Sequence, residues 1–279
     1  MTPPASPRAG PPGDSPADKP YNEPELYDIA FDFRDVPADV DVILGWATRA
    51  GSGRAPRRTL ELACGPAYHT IELARRGIAA EGLDLTPAMR AYAVEKARRA
   101  GVAIEVHGAD MVDFDLGPDR RYDLTLCLLE SLSHVYTLDA MLSHLASVRR
   151  HLVPGGIYVT EQSHPFDHLT DDRPVHSDWV RERGDVEIET FWGKKDDEFD
   201  PTTQVRVAQV EMRVRRGGRE ERVIRETCRM KVWLAPEMEA AIRLSGAFEI
   251  VERHGGWRLD SPFDDAEDSW RMIHVLRAR

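Results

Sequence analysis

Between residues 58 and 161 short apolar runs alternate with stretches of helical spacing. The run TLELA at 59–63 meets a Gly-Pro turn, helical residues 68–76 follow, and Gly77 closes them. Residues 78–85 predict a second strand, and Thr86-Pro87 an N-cap with proline at the first helical position. A helix over 89–100 then stops at Gly101, and strands are predicted over 102–106 and 122–129. A helix over 138–151, a turn at Pro154-Gly155-Gly156 and a fifth strand over 157–161 complete the series. Upstream, DVDVILGWATRA at 39–50 has an amphipathic helical pattern closed by Gly51-Ser52-Gly53. Strands alternating with helices predict a parallel, doubly wound α/β sheet.

From about residue 167 to 233 the period changes to two. VEIETFW at 186–192, VRVAQVEM at 205–212 and VIRETCRMKVW at 223–233 alternate, with Gly217-Gly218 as a hairpin turn between the last two. A helix over 236–245 and strands over 248–252 and 269–277 follow. The expected fold is therefore a Rossmann-like, mostly parallel seven-stranded sheet with a small antiparallel insertion. Residues 21–166 and 234–279 would form one cofactor-binding domain. Residues 167–233 would be an insertion serving as substrate cover or as the contact of a homodimer. No repeat of solenoid length occurs.

Composition narrows the function. Residues 1–20 hold seven of the 19 prolines and almost nothing apolar, which predicts a disordered tail. With 37 basic and 48 acidic residues the formal charge is −11, which argues against sequence-independent nucleic-acid binding. No apolar run approaches the ~20 residues of a spanning helix. Three scattered cysteines without CxxC spacing argue against a disulfide framework and against a metal site. The N-terminal stretch has no charged-then-apolar signal segment, so a soluble cytoplasmic protein without a membrane partner is expected.

The chemistry is concentrated at the carboxyl ends of the first three strands. In a doubly wound sheet the ligand crevice lies there, where strand order reverses. Small residues Ala63, Gly65 and Ala67 would admit a ligand close to the backbone, and Glu61 places a carboxylate beside them. Asp84 ends the second strand 23 residues later, the usual distance for an acid that receives a ribose hydroxyl pair. Asp110 ends the third. Three carboxylates at successive strand tips suit an adenosine ligand with positive charge and suit a pyrophosphate poorly.

The segments LELACGPAYHT, GLDLTPAM, HGADMVDF and HLVPGGIYV, in order on the expected elements, resemble the motifs of class I S-adenosylmethionine-dependent methyltransferases. The likeness is to small-molecule enzymes with a β-sheet insertion, including N-methyltransferases of amino sugars, and spans residues 21–279. It implies that Glu61 and the turn Ala63, Gly65 and Ala67 hold the methionine part of S-adenosyl-L-methionine. Asp84 would bind the ribose hydroxyls, with Leu85 packed on the adenine. Asp110 would accept from the adenine amino group, Met111 would cover the ring, and Leu128 would line the cofactor channel. The family usually has glycine where this chain has Ala63 and Ala67, and alanine is strained wherever φ must be positive.

On the substrate side, Tyr27 lies in the segment that folds over the cofactor in similar enzymes. His134 follows the fourth strand and His164 the fifth, so both are expected to face the methyl acceptor. A neutral imidazole there can take a proton from an amine or hydroxyl. Tryptophans 179, 192, 233, 257 and 270 crowd the second half, and an aromatic roof would favour a flat or cationic small-molecule substrate. The acceptor atom, N, O or C, stays open. Two other functions compete: a dinucleotide-dependent oxidoreductase, disfavoured because CGPAYH is not GxGxxG, and a non-catalytic nucleotide-binding or dimerisation module.

Overall fold

A computed structural model describes residues 20–169, 177–194 and 196–279. Residues 1–19, on which the expected disordered tail falls, lie outside the described residues.

A 3-10 turn at Pro20–Asn22 leads into α1 (Pro24–Ala30) and α2 (Val36–Ala50). The α/β series is β1 (Arg58–Leu62), α3 (Tyr68–Arg75), β2 (Ala79–Leu83), α4 (Pro87–Arg99), β3 (Glu105–His107), β4 (Tyr122–Cys127), α5 (Leu138–His151) and β5 (Leu152–Ser163). After α6 (Phe166–Leu169) come β6 (Ser177–Arg183), β7 (Val186–Trp192), β8 (Phe199–Asp200), β9 (Val205–Arg216) and β10 (Arg219–Lys231). The chain closes with α7 (Ala235–Ser245), β11 (Phe248–His254) and β12 (Arg271–Ala278).

The main sheet has seven strands in the order β11-β12-β5-β4-β1-β2-β3. β1 pairs in parallel with both β2 and β4, so strand order reverses at its carboxyl end. Only β12 runs antiparallel to its neighbours, pairing with β5 and β11. The central strands are buried on both faces, which explains their continuous apolar runs. On one face Val40, Ile43 and Trp46 of α2 pack on Leu124, Leu126 and Val159. On the other, Met141, Leu145 and Val148 of α5 and Met238 and Ile242 of α7 pack with Leu60, Leu62 and Tyr158.

Strands β6, β7, β9 and β10 form the second sheet, in the order β10-β9-β7-β6, with β8 paired to β9. Every pairing in it is antiparallel. Val186, Ile188, Met212, Val214 and Ile224 alternate onto one face, and Ile29 and Ala30 of α1 cover it. The N-terminal segment is thereby fixed between the two sheets.

Local differences from the sequence pattern have physical causes. β6 was not expected, because it is a charged edge strand with little alternation (Ser-Asp-Trp-Val-Arg-Glu-Arg). Thr86 precedes α4 as its N-cap residue, but its side chain makes no capping bond; its N–H donates to Asp84 instead. The expected turn at 154–156 lies within β5, absorbed by a register shift against β4, with Gly155 at φ +75°. No helix among the described residues is long and apolar enough to cross a membrane.

Candidate active site

The switch point opens into a cavity of about 730 Å³, within the usual range for small-molecule sites. Its floor is the first strand-to-helix turn. Ala63, Gly65 and Ala67 all have positive φ (50°, 50° and 59°), so the left-handed turn forms although two of its three residues carry a Cβ. Such strain persists where surrounding contacts over-determine the backbone, and it concentrates at functional sites. At Gly65 a Cβ would meet nothing within 4 Å, leaving the backbone open to a ligand. Ala63 and Gly65 line the cavity. Ala67 does not: it is fully buried at the start of α3, where it sets the helix direction.

Asp84 stands at the tip of β2, nearly buried. Its Oδ2 accepts from the Gly65 N–H at 2.9 Å and its Oδ1 from the Thr86 N–H at 2.8 Å. Burial raises its pKa, opposed by those backbone bonds. A carboxylate so placed gains from further donors, as a vicinal diol supplies. The next residue, Leu85, is 68 % exposed although apolar, and it lines the same cavity. Met111 and Leu128 are buried in the wall. Asp110 accepts from the Val112 N–H through Oδ1, leaving Oδ2 as the oxygen that could accept from an amino group. An exposed apolar platform between two acceptor carboxylates complements a nucleoside, whose hydroxyl and amino groups donate and whose base is flat.

Glu61 also lines the cavity, but its oxygens serve the turn. Oε2 accepts from the N–H and hydroxyl of Thr70, and Oε1 lies 3.2 Å from His69 Nδ1. His69 is buried between Glu61 and Asp39; burial lowers its pKa, and those two acids override this and raise it.

Toward the acceptor end, Tyr27 and His134 line the cavity as expected. Burial raises the Tyr27 pKa, with Asp84 adding to the effect, so its hydroxyl stays protonated. Burial lowers the His134 pKa against the opposing charge of Glu130, which keeps the imidazole neutral at pH 7. His164 corrects the sequence reading. It does not line the cavity: Nδ1 accepts from the Phe166 N–H at 3.1 Å and Nε2 donates to the Asp264 carbonyl at 3.0 Å. The strand tip is where the sequence put it, but the ring is spent bracing the loop before β12.

The sequence did not single out Phe31, Phe33, Glu130 or Asp28. Phe31 stacks on Tyr27 at 4.2 Å, a contact that their one-turn spacing could have signalled. Leu129 and Glu130, after β4, both have positive φ, and Glu130 reaches the cavity while accepting from the Ser163 hydroxyl. Asp28 is buried and accepts from Tyr92, Lys96 and Arg183, which ties α1 to α4 and to the second sheet. Burial would raise its pKa; Lys96 and its other partners lower it.

Among the described residues one cluster has metal-ligand geometry, Glu81, Glu105 and His107. It lies away from this cavity and its two carboxylates are already matched by two arginines, Arg120 pairing with both glutamates and Arg58 with Glu81.

Known proteins share part of this sequence and its fold. Residues 59–156 match the family model of a methyltransferase domain. A dTDP-4-amino-2,3,4,6-tetradeoxy-D-glucose N,N-dimethyltransferase from Saccharopolyspora spinosa is 31 % identical over 124 residues, 42 % of this chain and 47 % of that protein. A dTDP-3-amino-3,6-dideoxy-alpha-D-glucopyranose N,N-dimethyltransferase from Streptomyces fradiae is 33 % identical over 145 residues, 49 % of this chain and 51 % of that protein. The chain spans about half the length of the curated relatives it matches. The structure of an S-adenosylmethionine-dependent methyltransferase from Clostridium acetobutylicum superposes with a TM-score of 0.74 at 18 % identity, covering 92 % of this chain and 98 % of that one. That of an amino pentose methyltransferase from Micromonospora echinaspora gives 0.68 at 19 % identity, covering 91 % and 97 %. Residues 59–156 thus match the model of a methyltransferase domain, and the chain as a whole shares its fold with the S-adenosylmethionine-dependent methyltransferase of known structure named here.

Proposed function

We propose that this chain binds S-adenosyl-L-methionine and directs its methyl group to a nucleophile of a small molecule. The observation that carries this reading is the juxtaposition in one cavity of Asp84, the exposed Leu85 and the open Gly65 turn with a neutral His134. When bound, the cofactor supplies an electrophilic methyl on a sulfonium. Asp84 receives the ribose hydroxyls, Leu85 and Met111 enclose the adenine, and Asp110 accepts from its amino group. Ala63 and Gly65 lie against the methionine part, Glu61 holds that turn in shape through Thr70 and His69, and Leu128 forms the channel wall.

The relatives named above act on amino groups of nucleotide-linked sugars, which favours nitrogen as the acceptor atom. The nitrogen lone pair forms the C–N bond as the S–C bond breaks and sulfur keeps the electron pair. The ammonium product then gives a proton to His134 or to water. Much of the rate gain in such a transfer comes from holding donor and acceptor in line, so few catalytic groups are needed.

Calorimetric titration with S-adenosylhomocysteine and with NAD tests the reading. S-Adenosylhomocysteine is expected to bind and NAD not to; binding of NAD alone would overturn it in favour of a dinucleotide enzyme.

A further inference from the structure

The acceptor end of the cavity has a composition that selects among amines. A contiguous series of rings lines it. His134 meets Tyr21 edge-on at 6.3 Å, Tyr21 meets Tyr27 at 5.6 Å, and Tyr27 stacks on Phe31. Trp179 and Trp192 then stand edge-on to Phe31 at 5.4 and 5.5 Å, with interplanar angles of 74° and 90°. All six line the cavity, and they come from three separate stretches of the chain, 21–31, 134 and 179–192. Trp179 is held in place by its Nε1–H donating to the Ala30 carbonyl at 2.6 Å.

The charges point the same way. Among the described residues, Glu61, Asp84 and Asp110 stand at the end proposed for the cofactor, and the acceptor end carries the carboxylates of Asp167 and of Glu130, which accepts from the Ser163 hydroxyl. Among the same residues the cavity wall's one Lys or Arg is Arg271, and that cation is committed: Nε lies 3.1 Å from the buried Glu161, and the guanidinium sits over Trp270. Among the described residues of this wall a diphosphate would meet acids and aromatic faces and no uncommitted cation, so its two charges would lose water without compensation from them. An ammonium or neutral amine on an aromatic or apolar frame meets the complementary surface, since ring faces attract cations and bury apolar area.

We infer that the methyl acceptor is an amine on an aromatic or apolar frame without a diphosphate, bound against the Phe31, Trp179 and Trp192 rings beside Glu130. This rests on the methyltransferase reading and goes further, because it separates the acceptor from the nucleotide-linked sugars.

The test uses the full chain saturated with S-adenosylhomocysteine and, as probes, 2-phenylethylamine, tryptamine, 2-phenylethanol and thymidine diphosphate. The two amines are expected to bind at least about tenfold more tightly than thymidine diphosphate, and 2-phenylethanol more weakly than its amine. Phe31→Leu keeps an apolar side chain at the position and is expected to weaken amine binding about fivefold while leaving the affinity for S-adenosylhomocysteine unchanged. No detectable amine binding, tighter binding of thymidine diphosphate, or amine binding indifferent to Phe31→Leu would overturn the inference, with the cofactor reading intact. Failure of S-adenosylhomocysteine itself to bind would overturn both, and the first titration distinguishes the two failures.

Discussion

Arg34 donates through Nη1 to both carboxylate oxygens of Glu161 at 2.9 Å, joining residues 127 positions apart. Glu161 is fully buried near the end of β5, and it also accepts from the Leu129 N–H and from Trp257 Nε1. Arg34 pairs in turn with Asp39, which faces His69, which faces Glu61. Acid and base alternate along this series from the β5 end to the tip of β1, beneath the cavity. It connects the N-terminal segment, which carries the aromatic rings, to the turn proposed to hold the cofactor.

Removing one member of a buried pair strands its partner's charge, which typically costs about 3–5 kcal/mol. Glu161→Gln keeps the volume and removes the charge from Arg34 and Arg271 together. Urea unfolding is expected to show a loss of about 3 kcal/mol. A loss below about 1 kcal/mol would mean that the series contributes no more than surface pairs do.

The pH dependence of stability follows from the same buried groups. Burial alone would raise the Glu161 pKa, but Arg34 and Arg271 override it and hold it down at about 2. Its contribution is therefore full above its unfolded value near ~4.3 and is lost as pH falls toward 2. His144 and His274 are held down to about 4 by burial. Their contribution is present above ~6.5 and is lost as pH falls from there through 4, at up to about 3 kcal/mol each. His69, raised, acts oppositely: its contribution is present below ~6.5 and is lost as pH rises through its folded value. Stability is expected to peak near neutrality. Among the described residues neither ring nitrogen of His274 has a hydrogen-bond partner, so His274→Leu should flatten the fall between pH 6.5 and 4. An unchanged slope in that variant would exclude His274 as a source of acid sensitivity.

The parts of this molecule legible in sequence are those whose contacts are local or periodic. β1, β4 and β5 are buried on both faces and announce themselves as apolar runs. The position of Asp84 was legible because it directly follows the β2 end, where a strand fixes the next residue, whereas Asp110 stands three residues beyond the end of β3. The ring series was not, since Phe31 meets Trp179 and Trp192 only after α1 docks on the second sheet. His164 shows the limit from the other side. Its position at a strand end was right, and the carbonyl of Asp264, 100 residues away, decided where the ring went.

Ala67 enters α3 at φ +59°, a conformation that disfavours a Cβ by roughly 1–2 kcal/mol. Glycine relieves that strain but gives about 0.4–1 kcal/mol back to the unfolded chain. Ala67→Gly is expected to stabilise the protein by about 0.5–1 kcal/mol in urea unfolding. Destabilisation would mean that the buried methyl's packing outweighs the strain.

Asp84→Ala removes the acceptor proposed for the ribose hydroxyls and strands the N–H groups of Gly65 and Thr86. Hydrogen bonds to a charged group contribute about 1.5–3 kcal/mol, so the affinity for S-adenosylhomocysteine is expected to fall roughly 10- to 150-fold. Calorimetry gives the number directly, and an unchanged Kd would refute the ribose assignment.

His134 and Tyr27 make separable predictions, because one can carry a proton and the other, with its pKa raised, does not release one. If His134 accepts the proton from the methylated amine, His134→Ala should lower kcat about 10- to 100-fold, at or below the usual range for a general base. The affinity for S-adenosylhomocysteine should not change. In the intact protein a histidine base acts only when deprotonated, and burial lowers its pKa below 6.5, so the rate should fall only on the acid side of that value. His134→Ala should abolish this acid limb, whereas Tyr27→Phe should leave it in place. Equal losses of cofactor affinity and rate in His134→Ala, with the acid limb retained, would make the ring a wall residue packed against Tyr21.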